Sequence, residues 1–230
     1  MSEWWTYSLS DFLMFSARTY HRLFALYHRD IWPAQLVALG AGMLVIAAGV
    51  SGGARWTRLA ALLTGLAWCW VAWAFHLDRY AAINTAAPWF AAGFVLQGLL
   101  LLWTAAGPVS RLAGFGGSAR SVPGLAILLL SVAAYPVLPS LQRSWQAPHE
   151  LFGIAPDPTA MATLGLLLTM RAHWSMWVLP VAWCAISGAT LLALRAPLAW
   201  LPPAVAVAAM AAAIVVARLA AASAQPRRQA

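Results

Sequence analysis

The chain has 230 residues, of which 63% are hydrophobic and only 9% are charged. A soluble domain typically carries about 25% charged residues, so the composition excludes an ordinary soluble globular protein. Apolar runs of nearly membrane-spanning length recur along the chain, and the short alternating strands of an outer-membrane barrel are missing. The sequence therefore predicts an all-α, polytopic transmembrane helix bundle.

The net charge of +8 comes from arginine alone, because all 14 basic residues are Arg. The arginines lie between the apolar runs, where such residues act as topology signals and headgroup contacts, so they do not indicate nucleic-acid binding. Without any lysine the chain cannot form the Schiff base of a retinal protein. Cys69 and Cys184 fall inside apolar runs, so no disulfide framework is expected.

The first 30 residues, 1–30, form an element of a different kind. The stretch SLSD has the pattern of a helix start, with Ser8 as the cap. Apolar residues then recur at helical spacing, while Arg18 and Arg22 lie between them. We predict an amphipathic helix over 8–29 that lies in the membrane interface, with an ordinary soluble helix as the alternative.

A transmembrane bundle is predicted over 31–222 and a disordered basic tail over 223–230. Seven apolar segments make up the predicted bundle, and one of them is short or broken. The loops between them are short, which favours one compact bundle. The predicted spans are 31–52, 59–77, 86–106, 122–138, 158–171, 174–194 and 200–221.

Seven crossings divide the charged residues between the two sides of the membrane. One side, here called the acid-bearing side, carries six Arg and all six acids; the other carries eight Arg and no acid. The acids are Glu3, Asp11, Asp30, Asp78, Glu150 and Asp157. The excess of Arg predicts that the other side is cytoplasmic. We therefore expect a bacterial inner-membrane protein with its N-terminus outside and its C-terminus in the cytoplasm.

The stretch FGIAPDPTAMATLGLLLTMR raises a problem of length. Its apolar part, from Pro158 to Met170, has 13 residues. It would reach only about 20 Å, against about 30 Å for a bilayer core. One interpretation makes Asp157 a simple helix cap before Pro158. The other is a broken helix start that lines a cavity on the acid-bearing side, where Asp157 and Thr159 would meet a polar ligand.

Two further helix starts on the acid-bearing side have a similar pattern, with Asp30 before Pro33 and Asn84 before Pro88. We interpret these polar residues as caps followed by a first-turn proline.

Four other polar residues are candidates for binding a ligand. His76, Asp78 and Asn84 lie in HLDRYAAIN, either as an ordinary interfacial helix end or as a proton-handling or metal-handling site. Gln97 lies in the middle of a span, where an amide needs partners, so we expect it to face the interior.

Metal binding would require histidines and acids to converge, and the sequence has no tight spacing such as His-x-x-x-His. The candidate ligands are His21, His28, His76, His149 and Glu150. No cofactor is predicted.

Several motifs together resemble a bacterial family of small multi-span membrane proteins that is catalogued as a domain of unknown function. They are LYHRDIWPAQ, HLDRYAAINTAA, FGIAPDPTAMATLGLLL and VLPVAWCAISGATL, and they extend over nearly the whole chain. Members of that family tend to have an aromatic residue and Asn before WPAQ, and a Pro where this chain has Thr85. The resemblance implies a multi-span fold, and some members carry a permease label, but it implies no established activity.

The function that the residues favour is binding or transport of a small polar solute or ion through a cavity on the non-cytoplasmic side. The alternatives are a non-transporting accessory or assembly subunit of a membrane complex, and a metal-dependent membrane enzyme. The expected partners are the lipid bilayer and the solute or ion, with a homo-oligomer or a membrane-complex partner as a further possibility.

Overall fold

The computed structural model describes residues 14–107, 121–141, 149–170 and 172–224, and all regular structure in these ranges is helical. The helices Ala54–Trp70 and Ser121–Leu129 each continue directly into a π-helical segment, at Val71–Leu77 and Leu130–Ala134 respectively. The helices in chain order are α1 (Ala17–Asp30), α2 (Ala34–Ser51), α3 (Ala54–Trp70), α4 (Ala87–Ala106), α5 (Ser121–Leu129), α6 (Leu138–Leu141), α7 (Pro156–Thr169), α8 (Ser175–Ala193) and α9 (Leu201–Ala224).

Each of the seven segments predicted as a span contains a helix. Five of the described helices are long and apolar enough to cross a membrane. Helix α5 with its continuation and helix α7 are shorter than a bilayer crossing requires. The helical membrane bundle is therefore supported, and the number of seven crossings stays a prediction.

Helix α7 forms the centre of the bundle. All 14 of its residues are buried, from Pro156 to Thr169. In contrast, only 28% of the most apolar stretch of each of the helices α2, α4 and α9 is buried. Since α7 is surrounded by protein on every side, its length does not have to match the bilayer. The predicted short helix is confirmed, and its start faces protein.

Helix α7 packs closely against α5 where two glycines meet. A Cβ atom on Gly165 would lie 2.8 Å from the carbonyl oxygen of Gly124 and 3.0 Å from the backbone nitrogen of Leu128. Both obstacles are backbone atoms, so the two helices can approach this closely only because both positions are glycine. Small residues at helix contacts are typical of membrane bundles.

The amphipathic character predicted for the N-terminal helix is confirmed, but its predicted start is wrong. Helix α1 begins at Ala17, because Ser16 is extended and its hydroxyl accepts a hydrogen bond from the backbone nitrogen of Thr19. The earlier cap, Ser8, lies outside the described residues. The predicted tail begins too early, because residues 223 and 224 still belong to α9; the rest of it, 225–230, lies outside the described residues. The apolar face of α1 packs on the bundle: Phe24 is wholly buried, and its ring lies 5.0 Å from that of Phe75.

Contacts among α1, the end of α3 and the segment before α7 place these three elements at the same end of the bundle. The Tyr27 hydroxyl donates to the carbonyl oxygen of Ile154 (3.3 Å) and accepts from the indole of Trp70 (3.2 Å). Arg79 reaches Asp30 at 3.5 Å. The alternation of spans predicts this arrangement for the acid-bearing side.

Asp30 is not a cap of α2, contrary to the prediction from sequence. It is the last residue of α1, and α2 begins four residues later at Ala34, with Pro33 at its N-cap position. The carboxylate of Asp30 instead pairs with Arg29 and Arg79 at the surface.

Candidate functional site

The carboxyl group of Asp157 is the centre of a buried polar cluster. Its side chain is 1% exposed. Oδ1 accepts a hydrogen bond from the indole nitrogen of Trp183 at 2.8 Å. Oδ2 accepts from the hydroxyl of Ser187 at 2.6 Å, and the hydroxyl of Tyr135 lies 3.5 Å from it. All three donors are uncharged, and no ion pair reaches Asp157 from the described part of the chain.

Of the two interpretations of Asp157, the one that makes it a simple cap of α7 is wrong. The N-cap residue is Ala155, and Pro156 takes the first helical position, where its missing N–H is not needed. Asp157 is thus the second residue of the helix, and its side chain bonds to residues of α8. A carboxylate in the first turn is also favoured by the helix dipole. The acid therefore serves the contacts between helices, and the helix start has no side-chain cap.

Thr159 braces the turn that leads into α7. Its hydroxyl donates to the carbonyl oxygen of Ala155 at 2.7 Å and accepts from the backbone nitrogen of Gly153 at 2.8 Å. Gly153 has a positive φ of 77°, a conformation that glycine adopts without strain. These bonds satisfy backbone groups in a wholly buried turn, which explains Thr159 structurally.

A second buried acid, Glu150, lies seven residues before Asp157 and is close enough for the charge of Asp157 to act on it. It is 7% exposed, and its Oε2 atom has no hydrogen-bond partner among the described residues. Burial raises the pKa of Glu150 well above its usual value, and the charge of Asp157 raises this pKa further. A hydrogen bond from the Tyr135 hydroxyl acts in the opposite direction and lowers the pKa of Glu150.

His76 joins this cluster through Trp183. The imidazole is wholly buried, and its ring centre lies 5.0 Å from the Trp183 ring, whose nitrogen binds Asp157. Neither ring nitrogen of His76 has a hydrogen-bond partner among the described residues. Gln97, also wholly buried, is equally without a partner at both ends of its amide. The expectation that Gln97 faces the interior is confirmed.

The remaining predicted ligands, Asp78 and Asn84, lie apart from the buried cluster. Asp78 is half-exposed and pairs with Arg79, in a surface contact of the kind that contributes little to stability. Asn84 accepts a hydrogen bond from the backbone nitrogen of Ala86 at 2.9 Å. This bond closes a turn just before α4. The N-cap residue of α4 is Ala86, so Asn84 is not the cap but lies two residues before it.

The histidines and acids considered as metal ligands do not converge. No group of three His, Cys, Asp or Glu residues that could hold a metal occurs in ranges 14–107, 121–141, 149–170 and 172–224. His149 has its Nδ1 atom 3.0 Å from the carbonyl oxygen of Pro136. Burial lowers the pKa of His28, and the charge of the nearby His149 lowers it further. His21, on α1, is only half-buried.

Sequence reasoning missed three residues of the cluster: Trp183, Ser187 and Tyr135. The first two are one turn apart on the same face of α8, where they bracket the carboxyl group of Asp157. Their spacing could have indicated a shared partner, but the 14 tryptophans of the chain made a membrane-belt role the simpler interpretation. Tyr135 follows the π segment after α5, where the backbone nitrogen of Tyr135 bonds to the carbonyl oxygen five residues back, at 2.7 Å.

Two grooves in the described bundle are apolar and lie away from the cluster. One, of about 340 Å³, runs along the ends of α7, α8 and α9 and includes Met170 and Trp177. The other, of about 680 Å³, lies between α2 and α3 beside the segment 152–154 and includes Leu66 and Trp73. Asp157 does not line either of these two grooves.

The comparisons with known proteins identify the family and nothing beyond it. The model of a family described as "Family of unknown function (DUF6064)" matches residues 17–224, and the chain belongs to this family. None of the curated proteins matches the chain, and none of the solved structures does.

Proposed function

We propose that the bundle binds a cation, in the simplest case a proton, at Asp157. This ion site would serve a protein that binds or moves a small polar solute or ion. The observation that carries the proposal is the environment of Asp157: a fully buried acid in the central helix, held by uncharged donors.

The energetics of burial support this proposal. An isolated ionised carboxylate is very unfavourable in an apolar interior, and such groups are usually neutralised, paired or bound to a metal ion. Hydrogen bonds from Trp183 and Ser187 offset only part of this penalty. Glu150 adds a second buried acid beside the first, and two neighbouring carboxylates rarely both ionise. A bound proton or monovalent cation would relieve both problems.

The alternative of an accessory subunit requires buried polar groups that satisfy one another, because such a protein has no ligand of its own to bind. His76, Gln97 and Glu150 all have buried polar atoms without a partner among the described residues. These unpartnered atoms favour a protein that binds a ligand inside the bundle over an accessory subunit.

Infrared difference spectroscopy between acidic and alkaline pH tests whether Asp157 binds a proton. The purified protein in lipid should show the carbonyl stretch of a protonated carboxylic acid, and Asp157→Asn should lose part of that band. Asp78→Asn is the matched control, because Asp78 is half-exposed at the surface. A band that is identical in wild type and Asp157→Asn, in sodium-containing and sodium-free buffer, would refute a cation site at Asp157.

Transport is tested in proteoliposomes that contain a pH-sensitive dye. When a membrane potential is imposed, we expect proton movement with wild type and a clear loss with Asp157→Asn. Proton binding without movement would leave Asp157 a binding site and remove transport from the proposal.

Orientation is a separate part of the proposal. We infer that the acid-bearing side, with Glu150 at its edge, faces away from the cytoplasm. A reporter fused to the C-terminus should be active in the cytoplasm, and one that is active only outside would reverse the topology.

A further inference from the structure

His76 occupies an unusual position for a histidine. Its imidazole is wholly buried among aromatic rings, with ring centres 4.5 Å away at Phe94, 5.0 Å at Trp183 and 5.2 Å at Phe75. Neither Nδ1 nor Nε2 meets a hydrogen-bond partner in the described part of the chain. Buried polar groups are almost always paired, so two orphaned nitrogens on one ring require an explanation.

Gln97 presents the same problem one helical turn further along α4. It follows Phe94 by three residues, and both lie on the buried face of the helix together with Leu101. Side chains three positions apart on a helix lie on the same face, so Gln97 shares a face of α4 with Phe94, whose ring contacts His76. Neither its oxygen nor its nitrogen finds a partner among the described residues.

The backbone at His76 is a second and independent observation. Residues Val71–Leu77 form a π-helical segment, at whose end the backbone nitrogen of Asp78 bonds to the carbonyl oxygen of Trp73 at 3.0 Å. Such segments are rare, and they occur frequently at functional sites. In an unbroken α-helix the positions after Val71 would be rotated relative to the bundle, so the π segment helps to set the direction in which His76 points.

We propose that His76 and Gln97 together bind a small uncharged molecule that carries both a hydrogen-bond donor and an acceptor. A neutral imidazole offers one donor and one acceptor, and a primary amide offers both as well. No charged side chain pairs with either residue in the described ranges. An ionic ligand would therefore bring an uncompensated charge into the bundle, whereas a neutral ligand with both a donor and an acceptor can bond to orphaned atoms of both side chains. Water and small amides share this chemistry.

The proposed site is distinct from Asp157 but is linked to it through one side chain. The Trp183 ring packs against His76, and its nitrogen donates to Asp157. A ligand at His76 and a cation at Asp157 would therefore act on the same indole. The site at His76 and Gln97 does not depend on cation binding, because its supporting atoms belong to other residues.

The first test compares the stability of apolar replacements, measured as the thermal midpoint in one detergent at one pH. The variants are Gln97→Met and His76→Phe, and the matched control is Leu101→Met on the same face of α4. If the orphaned atoms bind a ligand, both variants should melt below the control, because they lose those bonds. If the atoms are truly unpaired, both variants should melt at or above wild type, and this result would overturn the proposal.

The second test reads the hydrogen bonds of His76 directly by ¹⁵N NMR of histidine-labelled protein, with His76→Phe used to assign the signal. We expect ring nitrogens with hydrogen-bonded shifts. If acetamide shifts this signal in wild type but not in Gln97→Met, the site binds a small amide. If acetamide has no effect, while the ring nitrogens remain hydrogen-bonded and their protons exchange with water, the occupant is water. Ring nitrogens without hydrogen bonds would overturn the site, whatever the infrared spectra show for Asp157.

Discussion

Replacing Asp157 by leucine should destabilise the bundle strongly, because it leaves two buried donors without an acceptor. Trp183 and Ser187 donate to the carboxyl at 2.8 and 2.6 Å. A buried donor that loses its partner costs about 1–3 kcal/mol, so the expected loss is about 2–6 kcal/mol of unfolding free energy. The Tyr135 contact, at 3.5 Å, is too long to add to this figure.

Replacing Asp157 by asparagine shows whether the acid is protonated or ionised in the native protein. Asparagine keeps one oxygen for Trp183 and presents an NH₂ group to the Ser187 hydroxyl, which can accept instead of donating. If the acid is protonated in the native protein, asparagine resembles it and should change the stability by less than about 1 kcal/mol. If the acid is ionised, the loss of charged hydrogen bonds should cost about 1.5–3 kcal/mol.

Both variants can be compared by tryptophan fluorescence during unfolding in mixed detergents, at constant pH and lipid content. Adding Trp183→Phe to Asp157→Leu should recover part of the loss, since replacing both partners by apolar groups is nearly neutral. If Asp157→Leu is within about 1 kcal/mol of wild type, the carboxyl does not hold these helices together, and the reasoning fails.

Three further predictions concern packing and pH. Gly165→Ala should cost about 1–3 kcal/mol, because its Cβ would lie 2.8 Å from the backbone oxygen of Gly124. Gly40→Ala, where no atom lies within 4 Å, should instead add up to about 1 kcal/mol, and similar effects at both sites would contradict the close crossing. Burial raises the pKa of Glu150, so this residue keeps a proton in the folded protein at a pH where it has lost that proton in the unfolded chain. The contribution of Glu150 to stability therefore falls as the pH rises above the ordinary pKa of glutamate. The wild-type unfolding free energy should therefore fall relative to that of Glu150→Gln by up to about 1.4 kcal/mol per pH unit, and parallel pH curves would disprove this. Phe24→Ala should cost about 3–5 kcal/mol because α1 packs on the bundle through this ring, and a change below about 1 kcal/mol would contradict that packing.

The helices themselves could be predicted from sequence alone, for a reason that lies in the solvent. In a bilayer every backbone N–H and C=O group must be satisfied within its own segment, so a long apolar run is almost always a helix. The same logic identified the amphipathic α1 from its spacing, although its first residue depends on the local cap at Ser16. The grouping of α1, Arg79 and the segment before α7 at one end followed from the alternation of spans.

The tertiary structure alone decided which apolar helix is central and which polar groups meet. Lipid tails are as apolar as leucine, so composition does not distinguish a helix that faces lipid from one that faces protein. Helix α7 is wholly buried although its residues resemble those of its neighbours. The partners of Asp157 lie 26 and 30 residues further along the chain, on a helix whose rotation about its own axis is set by packing. The burial of His76 and Gln97 is decided in the same way: the packing of α3 and α4, which local sequence does not encode, turns both side chains into the bundle.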